Sequence, residues 1–282
     1  MSLSSRILFV VVSLFIANAT VAEDKFRVCA DPMHPPFSKK DGSGFENKIA
    51  ELFATKLGQT VEYYWFSQRI GFIRNTLRAK LPNSEQYKCD VVMGVPANYE
   101  LVVASQPYYH STYVMLIAKG RGFDDITSPT QLSLADGERL DKMRIAMFDR
   151  GPGTAWLQQH GLLEQGIPYQ TMTGDDENNV AMIIDKDMRA NKIDMVIIWG
   201  PMAGYIISNA PENSYISMPM HSLPGTKYDF SIAMGVRYGD HKRKDQLNQL
   251  ITDNAEAIAQ IMAEYKFPLL PIPEQKPKED DD

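Results

Sequence analysis

The chain has 282 residues, with 29 lysines and arginines, 35 aspartates and glutamates, and a net charge of −6 at neutral pH. This acidic balance argues against nucleic acid as a partner. The length is sufficient for two domains, each with a core of its own. The sequence carries no G-x-S-x-G, Walker, H-E-x-x-H or G-x-G-x-x-G motif, so the commonest catalytic signatures are absent.

The N-terminal segment has the pattern of a secretory signal peptide. Arg6 precedes an apolar run over 7–16, and small residues follow up to Ala22. We therefore expect 1–22 to be removed and the mature protein to lie in the periplasm. The apolar run is shorter than the ~20 residues of a membrane-spanning helix, and no later segment comes closer, so no membrane span is expected.

Two cysteines, Cys29 and Cys89, remain in the mature chain. An even count in an exported protein favours one disulfide, and two buried free thiols are the alternative. Neither cysteine has a second cysteine or a histidine at the spacing of a metal site, so no metal is expected.

Apolar periodicity predicts two similar α/β halves. The first half contains predicted strands over 26–30, 60–66 and 89–94, with helices over 45–58 and 71–79. The second contains strands over 143–148 and 194–199, with helices over 153–160 and 178–191. Strands that alternate with helices imply parallel pairing and right-handed crossovers. The predicted class is therefore α/β, with two lobes around a central cleft.

Two long apolar strands, over 111–118 and 228–236, are predicted to carry the chain between the lobes as two hinge crossings. One long helix is predicted over 242–266. The expected division is a first lobe over 23–114, a second lobe over 115–230, a return to the first lobe with the C-terminal helix over 231–267, and a flexible acidic tail over 268–282.

Ligands of open α/β sheets bind at the carboxyl ends of parallel strands. The loops and helix starts at these ends supply the candidate cleft residues, which are His34, Phe37, Phe45, Arg69, Pro96, Tyr99, Asp149, Arg150 and Trp199. Arg69 and Arg150 are the charges suited to an acidic ligand.

Two local patterns have competing interpretations. The loop over 149–154 could hold an anion on its backbone N–H groups, or it could be an ordinary connection with Thr154 as the helix N-cap. The acidic residues over 175–177 are interpreted as N-terminal caps of the helix that follows, rather than as calcium ligands. The acids and bases available to an enzyme on this fold are Glu46, His34 and Asp149, and we expect no catalytic activity and no bound cofactor.

Several motifs resemble the type II periplasmic solute-binding proteins, notably the receptors for polar amino acids. The similar segments are P-P-F-S-K-K-D-G-S-G-F-E-N-K-I-A (35–50) and C-D-V-V-M-G (89–94) followed by A-S-Q-P-Y-Y (104–109). Those receptors carry a threonine and an arginine after their third strand to hold the α-carboxylate of the ligand. The corresponding segment here, 95–101, has no arginine and contains Glu100, which argues against an ordinary amino acid in the usual pose.

A more specific resemblance, to the MoxJ, MxaJ and XoxJ family of quinoprotein dehydrogenase-associated proteins, rests on a combination of motifs. They are F-R-V-C-A (26–30), G-F-E-N-K-I-A-E-L (44–52), Q-R-I-G-F-I-R-N-T-L (68–77), C-D-V-V-M-G-V-P-A-N-Y (89–99) and Y-Y-H-S-T-Y-V (108–114).

The resemblance implies an accessory role in making or maintaining an active methanol dehydrogenase, whose cofactor is pyrroloquinoline quinone. The expected partners are subunits of that enzyme, together with its cytochrome c. The alternative is a solute receptor of an ABC-type transporter that binds a small acidic molecule, such as the tricarboxylate quinone.

Overall fold

A computed structural model describes residues 24–274 of the chain. The predicted signal peptide over 1–22 and the last part of the predicted tail, 275–282, lie outside the described residues. Between residues 24 and 274, no helix is long and apolar enough to cross a membrane.

The first lobe is built from short strands and two helices that precede the first crossing. In chain order these are β1 (Lys25–Ala30), β2 (Met33–His34), β3 (Ser38–Lys39), α1 (Phe45–Leu57), β4 (Thr60–Trp65), α2 (Phe72–Asn75), β5 (Val91–Pro96) and β6 (Val103–Ala104). Strand β1 pairs in parallel with both β4 and β5, as the alternation of strands and helices predicts.

The long strand β7 (Tyr109–Ala118) leads into the second lobe. The elements of that lobe are α3 (Pro129–Ser133), α4 (Gly137–Leu140), β8 (Ile145–Phe148), α5 (Pro152–Gln159), β9 (Gly166–Tyr169), α6 (Val180–Arg189), β10 (Met195–Trp199), α7 (Gly200–Ser208) and β11 (Tyr215–Pro219). The chain returns through β12 (Asp229–Val236) and closes with α8 (His241–Asp253) and α9 (Ala255–Ala263).

The two lobes share one sheet through the crossing strands. Its order is β4-β1-β5-β12-β7-β10-β8-β9, so β12 and β7 lie at the centre with one lobe on each side. The start of β7 pairs with β12, and from Tyr113 onward β7 pairs with β10. This confirms the predicted α/β class, with two lobes and two hinge crossings.

Two predicted helices differ from those in the structure. The helix expected over 242–266 is divided at Asn254, whose side chain donates to the Leu250 carbonyl and whose backbone leaves the helical region. The helix expected over 71–79 ends after one turn, where the Thr76 hydroxyl donates to the Phe72 carbonyl at 2.7 Å. In both cases a polar side chain competes for a carbonyl of the helix.

The acidic residues over 175–177 do not cap the helix that follows, and neither does Thr154, the N-cap in one of the two interpretations of its loop. Helix α6 is capped by Asn179, whose side-chain oxygen accepts from the Met182 N–H at 2.9 Å, while Asp175 accepts from the Glu177 N–H within its own loop. Helix α5 begins at Pro152, and the Thr154 hydroxyl donates to the Phe148 carbonyl instead of capping the helix.

A disulfide joins β1 to the residue two positions before β5. Cys29 and Cys89 are bonded with their Cα atoms 5.4 Å apart, and both are almost fully buried. The bond closes a segment of the chain that contains α1, β4 and α2, so it restrains the first lobe alone.

The described part of the chain after α9 lies along the hinge. The Ser111 hydroxyl donates to the Pro268 carbonyl at 2.6 Å, and the Leu270 N–H donates to the His110 carbonyl at 2.9 Å. Residues 268–270, which were expected to belong to a flexible tail, are therefore attached to β7. The buried Phe267 packs against Phe45 and Tyr109 of the first lobe.

Candidate functional site

A cavity of about 530 Å³ lies between the lobes, where β1, β5 and β10 end. Its lining is mainly apolar and aromatic. The residues of this kind include His34, Phe37, Ile70, Phe72, Met93, Tyr99, Leu101, Tyr109, Met172 and Trp199. The location at the carboxyl ends of parallel strands is where an open α/β sheet places a ligand.

The structure brings six of the nine candidate cleft residues to this cavity: His34, Phe37, Arg69, Pro96, Tyr99 and Trp199. The other three do not line it. Phe45 is fully buried beneath the wall, with its ring 5.5 Å from that of Phe37. Asp149 and Arg150 are exposed on the second lobe, where Asp149 accepts from the Thr171 hydroxyl.

Arg69 is the only lysine or arginine that lines the cavity among the described residues. Its guanidinium carbon lies 4.4 Å from the centre of the Phe66 ring, an arrangement typical of a cation–π contact. Arg69 is exposed and so marks the mouth of the cavity rather than its floor.

Asp31 lies in the loop after β1, and His34 is the last residue of the short strand β2. The Asp31 carboxylate accepts from the Met33 N–H at 2.7 Å and from the Gln68 N–H at 2.5 Å, which ties this loop to the one after β4. Burial lowers the pKa of His34, although the nearby Asp31 partly opposes that effect. His34 is therefore neutral at pH 7, and its ring packs 4.7 Å from that of Phe37.

Glu46 also lines the cavity, although it was expected only as a possible acid or base of an enzyme and not among the nine cleft residues. It lies in the first turn of α1, is 9% exposed, and faces the cavity beside Gly94. Burial raises its pKa to about 8, and the Tyr108 hydroxyl at 3.5 Å only partly opposes this shift. Glu46 is thus mostly protonated at pH 7.

Close approach requires glycine at two positions around Glu46. A Cβ atom on Gly94 would lie 2.2 Å from the Glu46 Oε1 atom, and one on Gly44 would lie 2.1 Å from the Phe37 carbonyl oxygen. The sequence did contain a signal for Glu46. It shares one helical face with Ile49, Ala50 and Phe53, so a glutamate lies on the apolar side of α1.

The two lobes touch at two points near the cavity. The Asn179 side-chain amide donates to the Pro35 carbonyl at 3.1 Å, and this bond is buried. A Cβ atom on Gly174 would lie 3.7 Å from the Arg69 Cβ atom, so the loop before α6 lies against the loop after β4. The lobes are therefore in contact across the cleft at both points.

Comparison with solved structures defines the class of the protein as a periplasmic binding protein fold. The periplasmic binding protein XoxJ from Methylobacterium extorquens AM1 is 32% identical, with a TM-score of 0.67 over 87% of this chain and 99% of that chain. MxaJ from Methlophaga aminisulfidivorans is 23% identical, with a TM-score of 0.69 over 87% of this chain and all of that one.

A curated relative, Protein MoxJ from Methylorubrum extorquens, is 28% identical over 87% of this chain and 82% of its own length. No family model matches the chain. The chain belongs to the family of MoxJ, MxaJ and XoxJ, as its motifs predicted. The same comparisons give the fold, whereas the binding roles of individual cleft residues stay predictions.

Proposed function

We propose that this protein is a non-enzymatic accessory protein of the periplasm. It supports the maturation or activation of a methanol dehydrogenase that contains pyrroloquinoline quinone, by holding part of a dehydrogenase subunit in its cleft or at the rim. The dehydrogenase partner is inferred from family membership. The periplasmic location is inferred from family membership and from the predicted signal peptide.

The observation that supports a protein partner is the apolar rim of the cavity. Ile70 is 93% exposed, Met172 47% and Leu101 44%, and all three line the mouth of the same cavity. They extend an apolar lining onto the surface from both lobes, and exposed apolar groups gathered around a pocket are typical of a binding surface. Methionine also suits a surface that adapts to its partner.

The proposed role requires no catalysis by this chain. Of the three candidate acids and bases, Asp149 lies outside the cavity lining, His34 packs on Phe37, and Glu46 accepts a hydrogen bond from the Tyr108 hydroxyl. Solute-binding relatives also act by binding, which favours a role that stops at binding.

Native mass spectrometry of the mature protein with the dehydrogenase, in mature and cofactor-free forms, tests the proposal. We expect a complex with the cofactor-free enzyme that the variant I70S weakens at least fivefold. The matched control is L134S, because Leu134 is 79% exposed but lies outside the cavity lining. If no complex forms with either form of the enzyme or with its cytochrome c, the accessory role is wrong.

A second candidate function is that of a solute receptor, which the size of the cavity favours. About 530 Å³ lies within the range of pockets that enclose small molecules. A small molecule that stays bound to the isolated protein in the same experiment, with no complex in any mixture, would favour this candidate. In that case Arg69 is the available anchor for an acidic group, since Arg150 does not line the cavity.

A further inference from the structure

The floor of the cavity carries a carboxyl group without a charged partner. We propose that this cavity is a binding site for an alkylammonium group, with Glu46 as its counter-ion and the aromatic lining around its apolar stem. The ligand would bind in the same cavity as in the proposed function, and the inference names its chemical class.

Glu46 has a hydrogen-bonding capacity that the protein itself leaves unused. Its Oε1 atom meets only the Tyr108 hydroxyl at 3.5 Å, and its Oε2 atom has no hydrogen-bond partner among residues 24–274. No lysine or arginine forms an ion pair with it within that range either. A cationic ligand would supply such a buried carboxyl group with both a positive charge and N–H donors.

The surrounding rings suit the rest of such a ligand. Phe37, Tyr109 and Trp199 line the cavity with Glu46, and His34 is neutral beside Phe37. Aromatic faces attract ammonium groups through the ring quadrupole, and they pack against apolar stems at the same time. A cavity of about 530 Å³ has room for an ammonium head and a stem of several carbons.

An acidic ligand fits the floor of the cavity less well than a cationic one. A carboxylate placed there would meet Glu46 and Asp31, whereas Arg69 is exposed at the mouth. A carboxylate there would repel the Asp31 carboxylate and would oppose ionisation of Glu46. A cation is attracted by Asp31 and favours the ionised form of Glu46, with which it can pair.

The protonation of Glu46 gives the proposal a specific signature. Its pKa of about 8 means that it is mostly protonated at pH 7, so a bound ammonium group would displace that proton. The other titratable groups around it are Tyr63, Tyr108 and Tyr109, all with pKa values raised by burial, and across the cavity Asp31, His34 and Arg69. None of the tyrosines ionises below pH 9, and the pKa of His34 is lowered, so proton release near pH 8 reports on Glu46.

Two sources can supply this chemistry: a free amine, or a lysine side chain from a partner protein. Isothermal titration of the isolated protein distinguishes them with phenethylammonium, for a free amine, and with Nα-acetyl-lysine amide, for a lysine. Phenethyl alcohol and phenylacetate are the matched neutral and anionic probes. We expect the ammonium probes to bind at least tenfold more tightly than either matched probe.

We expect binding to release nearly one proton at pH 7. Titrations in buffers of different ionisation enthalpy measure this number from the change in the heat of binding. The apparent affinity rises about tenfold from pH 6 to pH 7 and levels off above pH 8. The variant E46Q, which keeps the volume of the side chain, weakens the ammonium probes at least tenfold and abolishes the proton release. The exposed Glu51 on the same helix provides the control variant E51Q, which leaves both unchanged.

Tighter binding of phenylacetate than of phenethylammonium would overturn the proposal, as would ammonium binding that E46Q leaves unchanged. The pH series on the unmodified protein keeps the test valid if the variant folds poorly. Since these titrations contain no dehydrogenase, a negative result would leave the proposed complex unaffected, and a positive one would not require that complex.

Discussion

A single side chain links closure of the cleft to the start of a helix. Asn179 caps α6 through its oxygen and reaches across to the Pro35 carbonyl through its amide. Serine at this position keeps an N-cap oxygen but is too short to span the 3.1 Å bond to the other lobe. One buried hydrogen bond contributes about 1 kcal/mol, so we expect N179S to shift the equilibrium between closed and open lobes about fivefold toward open.

Small-angle scattering and energy transfer between dyes on exposed positions 56 and 164 of the two lobes measure that shift. N179S should increase the radius of gyration and lower the transfer efficiency, with the stability of α6 little changed. N179A loses the cap as well, and its free energy of unfolding should fall by about 1 kcal/mol more. If N179S and the unmodified protein give the same lobe distances, the bond to Pro35 does not hold the cleft closed.

Other predictions concern the disulfide and a buried ion pair of the second lobe. Replacing Cys29 and Cys89 by alanine should lower the free energy of unfolding by about 4 kcal/mol in urea titrations, because 60 residues separate them; a loss below about 1 kcal/mol would contradict the loop-closure argument. D194N should cost about 3 kcal/mol or more in the same assay, because buried Asp194 pairs with Arg144 and Arg121, and an unchanged midpoint would contradict that reasoning.

The lobes and crossings could be predicted because they depend on long apolar segments. Strands β5, β7, β10 and β12 are mostly buried, and each contains a run of apolar residues. Strands β9 and β11 were missed because both are short and largely half-buried or exposed, and their sequences contain proline. The strands that could be predicted from the sequence are therefore the buried ones, and strand propensity mattered less than burial.

The cleft residues illustrate a different limit. His34, Arg69 and Trp199 were found because they follow strands, and the sheet brings strand ends together. Arg150 also follows a strand, but its loop turns away from the cavity after β8. Glu46 was considered only as an acid or base of an enzyme and not as a binding residue, and it lies on a helix that the pattern assigned to the core. Its role depends on Gly94, a residue 48 positions later that leaves room for the carboxyl group.

Glu46 should also destabilise the protein at neutral pH, and this can be measured without any ligand. Its pKa is about 8 in the folded protein against an ordinary value of 4.5, so the folded state holds a proton that the unfolded state releases. The stability from this group is complete below pH 4.5 and is lost, by about 1.4 kcal/mol per pH unit, as the pH rises toward 8.

The variant E46Q carries an uncharged amide in both states and lacks this pH dependence. We expect it to unfold with a free energy ~3 kcal/mol above that of the unmodified protein at pH 7, and with little difference at pH 4.5. Urea titrations across this range measure the difference, and exposed Glu51 again supplies the control, E51Q. Parallel stability curves for E46Q and the unmodified protein would mean that Glu46 is solvated in the cavity. Stability curves that converge at low pH would mean that the fold maintains an unfavourable carboxyl group at the floor of its cleft, as a site for a cation requires.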